Sequence, residues 1–197
     1  MAVMMRLSRV SKDSTVFLQC DIQERAIPKI WNVASVISVA GTMAHAAHIL
    51  SIPLCVTEMM PEKIGPTVAE VRSAWLSPPT VLARKSLFSM CVPKVLEVLR
   101  GKKSVVLYGL ETQVCIQQTC LELLDRGFEV FVLADGVSSK SSLGRSTAIA
   151  RMRDAGAVIE TCESLLIGMD LENSDQKARI VQEFAAKNRP KEPIPSL

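Results

Sequence analysis

A chain of 197 residues with 48% apolar side chains is long enough to bury a core and too apolar to be disordered. Twenty-three Lys and Arg against 20 Asp and Glu leave a net charge of +3 with no long basic stripe, which argues against a nucleic-acid surface. Six cysteines, none in a CxxC pair and most in apolar surroundings, read as free thiols of a reducing compartment rather than as a disulfide framework.

The first twelve residues, MAVMMRLSRVSK, hold basic and Ser residues and no acid before Asp13. A short organelle-targeting segment has this composition, and so does an ordinary frayed start, the reading preferred here. The expected location is the cytoplasm, with the mitochondrion as the alternative. Residues 15–20 form an apolar run, predicted to be the first strand. Residues 30–57 then contain no Asp, Glu, Lys or Arg. A membrane helix has that length, but Asn32, three serines, Thr42, His45, His48 and the helix-ending Pro53 favour a buried helix over 33–50 and a buried strand over 54–57. The stretch 58–79, with Pro61, Gly65, Pro66, Pro78 and Pro79, reads as a long irregular loop of the kind that carries function.

From there the pattern alternates. Strands are expected at 81–83, 104–107, 129–133 and 158–159, and helices at 92–99, 113–126, 143–154 and 176–186, before a Pro-rich tail. Two of these helices close on Gly127 and Gly156, each followed at once by a strand. Strand, helix, glycine, strand is the signature of βαβ units and hence of a parallel sheet covered on both faces. No repeat or low-complexity linker divides the chain, so one domain is expected, with a core over about 13–170 and a C-terminal helix and tail over 171–197.

In open parallel sheets chemistry gathers beyond the carboxyl ends of the strands. The first strand runs into Asp21, the third into Lys85, and the fourth leads through Gly109 to Cys115. Thr112 suits an N-cap, which would put Cys115 in a first helical turn, where free N–H groups and the helix dipole favour a thiolate. Taken singly, Asp21 reads as a cap or loop charge, Lys85 as a solvated strand end, and Cys120 as core. Together, a thiol, a carboxylate and an ammonium make a nucleophile set. The sulfur attacks a carbonyl carbon, the aspartate moves the thiol proton, the lysine steadies negative charge, and turn N–H groups receive the oxyanion.

The stretches FLQCDIQER, CVTEMMP with IGPTV, RKSLFSM, YGLETQVCIQQTCLELLDRGFEVFVLADGVSS and ARMRDAGA, spanning about 15–167, resemble the isochorismatase-like cysteine hydrolases, and among them the isochorismatase-domain-containing proteins. The chain also looks like a kinetoplastid branch sometimes labelled a mitochondria-associated ribonuclease. The resemblance implies a three-layer α/β/α sandwich with a six-stranded parallel sheet in Rossmann-like order, and an oligomer, dimer or tetramer. It also implies a catalytic triad on Asp21, Lys85 and Cys115. A cis Leu110–Glu111 peptide would present the Glu111 N–H beside that of Cys115 as an oxyanion hole. Nicotinamidases of this superfamily carry an Asp-x-His metal site after the second strand. Here that region reads TEMMPEKIGP, so neither a metal nor a cofactor is expected. Glu111 and Gln113 also depart from the small or other polar residues usual at their positions.

The leading reading is therefore a hydrolase of a C–N bond in a small amide or ureide, through a thioester on Cys115. Gln23, Met59, Met60, Phe88 and Met90 are candidates to line its pocket, with core or loop packing the plainer role of the methionines and Phe88. Two other classes stay open. An RNA-associated protein or ribonuclease would need a basic face and stacking aromatics, of which five Phe, two Trp and one Tyr are all the chain has. A non-catalytic member of the family would show a closed pocket and an inert Cys115.

Overall fold

The nearly unbroken apolar runs pair side by side, because strands buried on both faces must satisfy their backbone in a ladder and their side chains in two cores. β1 (Thr15–Cys20), β2 (Leu54–Met59), β3 (Val81–Lys85), β4 (Ser104–Leu110), β5 (Glu129–Ser138) and β6 (Val158–Glu160) form one sheet in the order β3-β2-β1-β4-β5-β6. Every pairing is parallel. The computed structural model describes residues 10–169 and 176–190. The N-terminal composition read as a frayed start or targeting segment therefore lies mostly outside the described residues, as does the tail beyond 190.

Alternate side chains of the inner strands supply two separate cores, while the edge strand β3 turns Leu82 outward. Phe17, Val56, Val106, Tyr108, Phe131 and Leu133 face α1 (Val33–Leu50), α7 (Cys162–Gly168) and α8 (Gln176–Lys187). Val16, Leu18, Val105, Leu107, Val130 and Val132 face α4 (Pro93–Val98), α5 (Gln117–Asp125) and α6 (Ser142–Asp154). This is the three-layer α/β/α sandwich anticipated from the sequence. Each fully buried aliphatic or aromatic side chain contributes about 1.5–3 kcal/mol to it. The uncharged helix α1 is apolar and long enough to cross a membrane, but ten of its eighteen residues are buried, many against the sheet. Its buried Ser35 donates to the Asp135 carbonyl of β5 (2.6 Å). His45 stacks on Phe184 of α8 at 4.3 Å, and His48 contacts Ser77, so both histidines have structural partners.

Several expected boundaries move. β2, β3 and β4 each run past their predicted ends, to Met59, Lys85 and Leu110, because parallel neighbours extend the ladder there. β5 continues through Asp135-Gly136 to Ser138; the irregularity between Leu107 and Gly109 lets Gly109 and Leu110 pair with Val137 and Ser138. The stretch 58–79 is ordered by two short helices, α2 (Pro61–Ile64) and α3 (Ala69–Ser73), and by a bridge between Gln23 and Thr67. Helix α7 carries no strong periodicity in sequence; the Thr161 hydroxyl caps it by accepting the Ser164 N–H at 3.2 Å.

Candidate active site

β1 and β4 are adjacent and lie where the strand order turns back on itself, and the crevice of an open parallel sheet belongs at the carboxyl ends of such a pair. Asp21 leaves β1 there with φ 47°, in the left-handed region. A regular strand would send Cys20 and Asp21 to opposite faces; this conformation lets both approach one point. Lys85 ends β3, two strands away. Beyond β4 the Leu110–Glu111 peptide is cis, and the chain enters a wide turn, Thr112–Ile116, with the Ile116 N–H donating back to the Glu111 carbonyl at 3.2 Å. Cys115 sits in that turn, which runs directly into α5. Thr112 does not cap the helix as expected. It lies inside the turn, and its buried hydroxyl has no hydrogen-bond partner among the described residues.

Asp21, Lys85 and Cys115, far apart in sequence, meet at these strand ends. The Lys85 ammonium lies 2.5 Å from Asp21 Oδ2 and 3.6 Å from Cys115 Sγ. It also donates to the carbonyls of Leu87 (3.1 Å) and Phe88 (3.0 Å). Three N–H bonds cannot serve four acceptors, so the short contacts to oxygen take them and the sulfur receives the field of the charge. The second Asp21 oxygen accepts the Thr57 hydroxyl at 2.7 Å. Burial alone would lower the Lys85 pKa; the neighbouring Cys20, Asp21 and Cys115 outweigh it and hold the ammonium above its ordinary value. The thiols of Cys20 and Cys115 and a carboxylate oxygen of Asp21 lie within 4.8 Å of one another. Such a donor set suits a metal ion, but the Lys85 ammonium already holds the place a cation would take beside Asp21.

Cys115 is 7% exposed, and Asp21 and Lys85 are each 5% exposed. An open cleft of about 410 Å³ lies beside the end of β3, between Met60, Arg84, Leu87 and Val92; the Lys85 side chain is buried beneath it, and neither Asp21 nor Cys115 lines it. On the other side of Cys115, Glu111 pairs with Lys140 (2.9 Å), and Gln113 bonds to Ser139.

The other expected residues divide. Gln23 is fully buried, with its amide engaged by backbone: Nε2 donates to the carbonyls of Met59 (3.0 Å) and Gly65 (2.6 Å), and Oε1 accepts the Met59 N–H (2.8 Å). It clamps the loop after β2 rather than presenting a polar edge to the cleft. Met59 and Met90 are core residues beside Leu18 and Cys115. Phe88 is 58% exposed, and its carbonyl, not its ring, reaches Lys85. Sequence reasoning missed Thr57 and Cys20. Both stand level in the β1–β2 register, one residue before the acid, which is the signal that could have found them.

Residues 15–164 match the isochorismatase domain family. Isochorismatase domain-containing protein 2A of Mus musculus is 38% identical over 192 residues, covering 96% of this chain and 88% of that protein. A structure described as MAR1 ribonuclease from Caenorhabditis elegans superposes with a TM-score of 0.88 at 33% identity, covering 96% of this chain and all of that one. The YcaC gene product of Escherichia coli, described as an octameric hydrolase of unknown specificity, superposes with a TM-score of 0.80 at 21% identity, over 92% of this chain and 91% of its own, a likeness of fold alone.

Proposed function

The chain belongs to the isochorismatase family, and we propose that within it the protein hydrolyses a C–N bond of a small amide or ureide through a thioester on Cys115. Family membership supports a hydrolase-like function. The observation that carries the finer reading is the meeting of a sulfur, a carboxylate and an ammonium at three strand ends. Asp21 accepts the Cys115 proton as the sulfur attacks the carbonyl carbon, and the C=O electron pair moves onto oxygen. The Glu111 and Cys115 N–H groups receive that oxyanion. Its collapse breaks the C–N bond, and Asp21 returns the proton to the leaving nitrogen. Water then attacks the thioester, its proton passing to Asp21 and on to the Cys115 sulfur, which frees the acid. Lys85 holds Asp21 in place and offsets the charge on sulfur. The cationic site and this chemistry need no cofactor.

The test is limited alkylation of the native protein with iodoacetamide, read by peptide mass spectrometry, together with amine or ammonia release from a panel of small amides and ureides. Cys115 is expected to be labelled first among the six thiols. Any hydrolysis found is expected to vanish in Cys115→Ala. Prior labelling of Cys91, the half-buried thiol, would refute the assignment. The ribonuclease name of the Caenorhabditis elegans structure defines a competing outcome: steeply salt-dependent retention of labelled RNA with cleavage that survives Cys115→Ala. Self-association is part of the proposal, and light scattering would read a dimer or tetramer.

A further inference from the structure

We propose that Cys20 is a resolving thiol for Cys115, so that the site carries a reversible oxidative modification: a peroxide-driven disulfide between the last residue of β1 and the turn after β4. The observation is spatial. The two sulfurs lie within 4.8 Å of each other. A buried cysteine in a strand is ordinarily just a small apolar side chain, and Cys20 is fully buried in the core cluster that also holds Leu18 and Cys120. What sets it apart is its neighbour. Its sulfur touches the residue whose sulfur lies beside a lysine ammonium, at the more exposed end of the pair.

The chemistry balances with a hydroperoxide as oxidant. The Cys115 sulfur attacks the peroxide oxygen, the O–O bond breaks, and a sulfenic acid and water (or an alcohol) result. The Cys20 sulfur then attacks the sulfenic sulfur, the S–O bond breaks, and the departing hydroxide takes the Cys20 proton and leaves as water. The two thiols have lost two electrons to the peroxide. Burial, with the neighbouring Cys115 and the Asp21 charge, pushes the Cys20 thiol well above its ordinary pKa. Cys20 therefore stays a thiol, and Cys115, the more exposed of the two and beside the Lys85 ammonium, is the one that meets the peroxide first. Closing from a separation within 4.8 Å to a bond of about 2.05 Å requires the sulfurs to swing together. β1 is held on both sides by β2 and β4, so the wide turn carrying Cys115 is the part that moves. The bond would take the sulfur away from any carbonyl and shield it from further oxidation.

The test uses the full reduced chain, treated with a slight excess of hydrogen peroxide, quenched by alkylation and mapped without reduction. Expected is a crosslinked pair of peptides carrying Cys20 and Cys115, lighter by two hydrogens, with all six thiols alkylatable again after dithiothreitol. In Cys20→Ser, or in Cys20→Val should the serine destabilise the core, Cys115 should instead gain two oxygens, and dithiothreitol should not restore it. A wild-type protein that gains two oxygens at Cys115 without a crosslink, or that links Cys115 to another cysteine, overturns the proposal, and this holds even if neither variant folds. The inference needs only the two sulfurs. A protein that crosslinks yet hydrolyses no amide would sink the hydrolase reading and leave this one standing.

Discussion

Lys85 is the residue on which the site turns, because its ammonium is buried among acceptors that all need it. Breaking one side of a buried pair costs far more than the pair is worth, since the remaining charge stays dehydrated. Lys85→Met is therefore expected to lower unfolding free energy by about 3–5 kcal/mol, read from urea denaturation. Asp21→Asn tests the chemical role, with unfolding free energy read beside it because the Lys85 charge loses its counter-ion. It removes the proton acceptor but retains an oxygen for the Thr57 hydroxyl. Alkylation of Cys115 should slow, and hydrolysis should drop by about 10²–10⁴-fold with little change in substrate affinity. Unchanged labelling in that variant would mean the carboxylate does not take the thiol proton. Singly, Asp21 and Lys85 read as ordinary strand-end charges; their shared place with Cys115 at strand ends made a set legible, and the family resemblance implied the triad. Gln23 misled for the same reason: a polar residue near a strand end looks like a ligand contact whether it faces a cleft or a loop backbone.

At the scale of elements, the join between β1 and β4 decides the geometry. Gly109 has φ 121°, and a Cβ placed there would lie 2.0 Å from the Cys20 carbonyl oxygen, closer than any atom can stand. Gly109→Ala must push the two strands apart at the crevice. A loss of at least about 3 kcal/mol is expected, with Cys115 alkylation becoming as slow as that of the core thiols. A variant of native stability would show that the β1–β4 approach is not tight. Gln23→Leu tests the loop clamp. It strands the N–H and carbonyl of Met59 and the Gly65 carbonyl, so a loss of roughly 2–3 kcal/mol is expected, with faster proteolysis inside 60–79. The strands and long helices were legible from period and punctuation, and the glycines at 127 and 156 marked both helix ends, each with positive φ. Helix α7, the reach of β5 and the wide turn before α5 were not, since each is stabilised by pairing or capping partners supplied from elsewhere in the chain.

At the scale of the whole molecule, the alkaline limb of its pH dependence lies largely in buried thiols. Burial pushes Cys55 and Cys120 to about 12 from an ordinary 9.0, and pushes Cys20 and Cys162 well above it. Lys85 is likewise raised from 10.5. A group whose folded pKa is raised stabilises the fold fully below its unfolded value and loses that contribution as pH climbs through the folded one. The urea midpoint should therefore hold near neutrality and fall from about pH 9 upward. The double variant Cys55→Val, Cys120→Val should flatten that fall, and an unchanged slope would place the alkaline weakness elsewhere.

Composition and period by themselves determined the class of this protein. Alternating apolar strands and helices of this length have one efficient way to bury both sheet faces, and the parallel layered order follows from it. The chemical residues were visible too, because strand ends are where polar side chains escape the core. What only tertiary structure decided is contact: which sulfur faces which, that Asp21 turns left-handed so that it and Cys20 share one site, and that Gln23 grips backbone. Those outcomes depend on distances between atoms from separate strands, set by register and a few dihedral angles that carry no mark in the local order of residues.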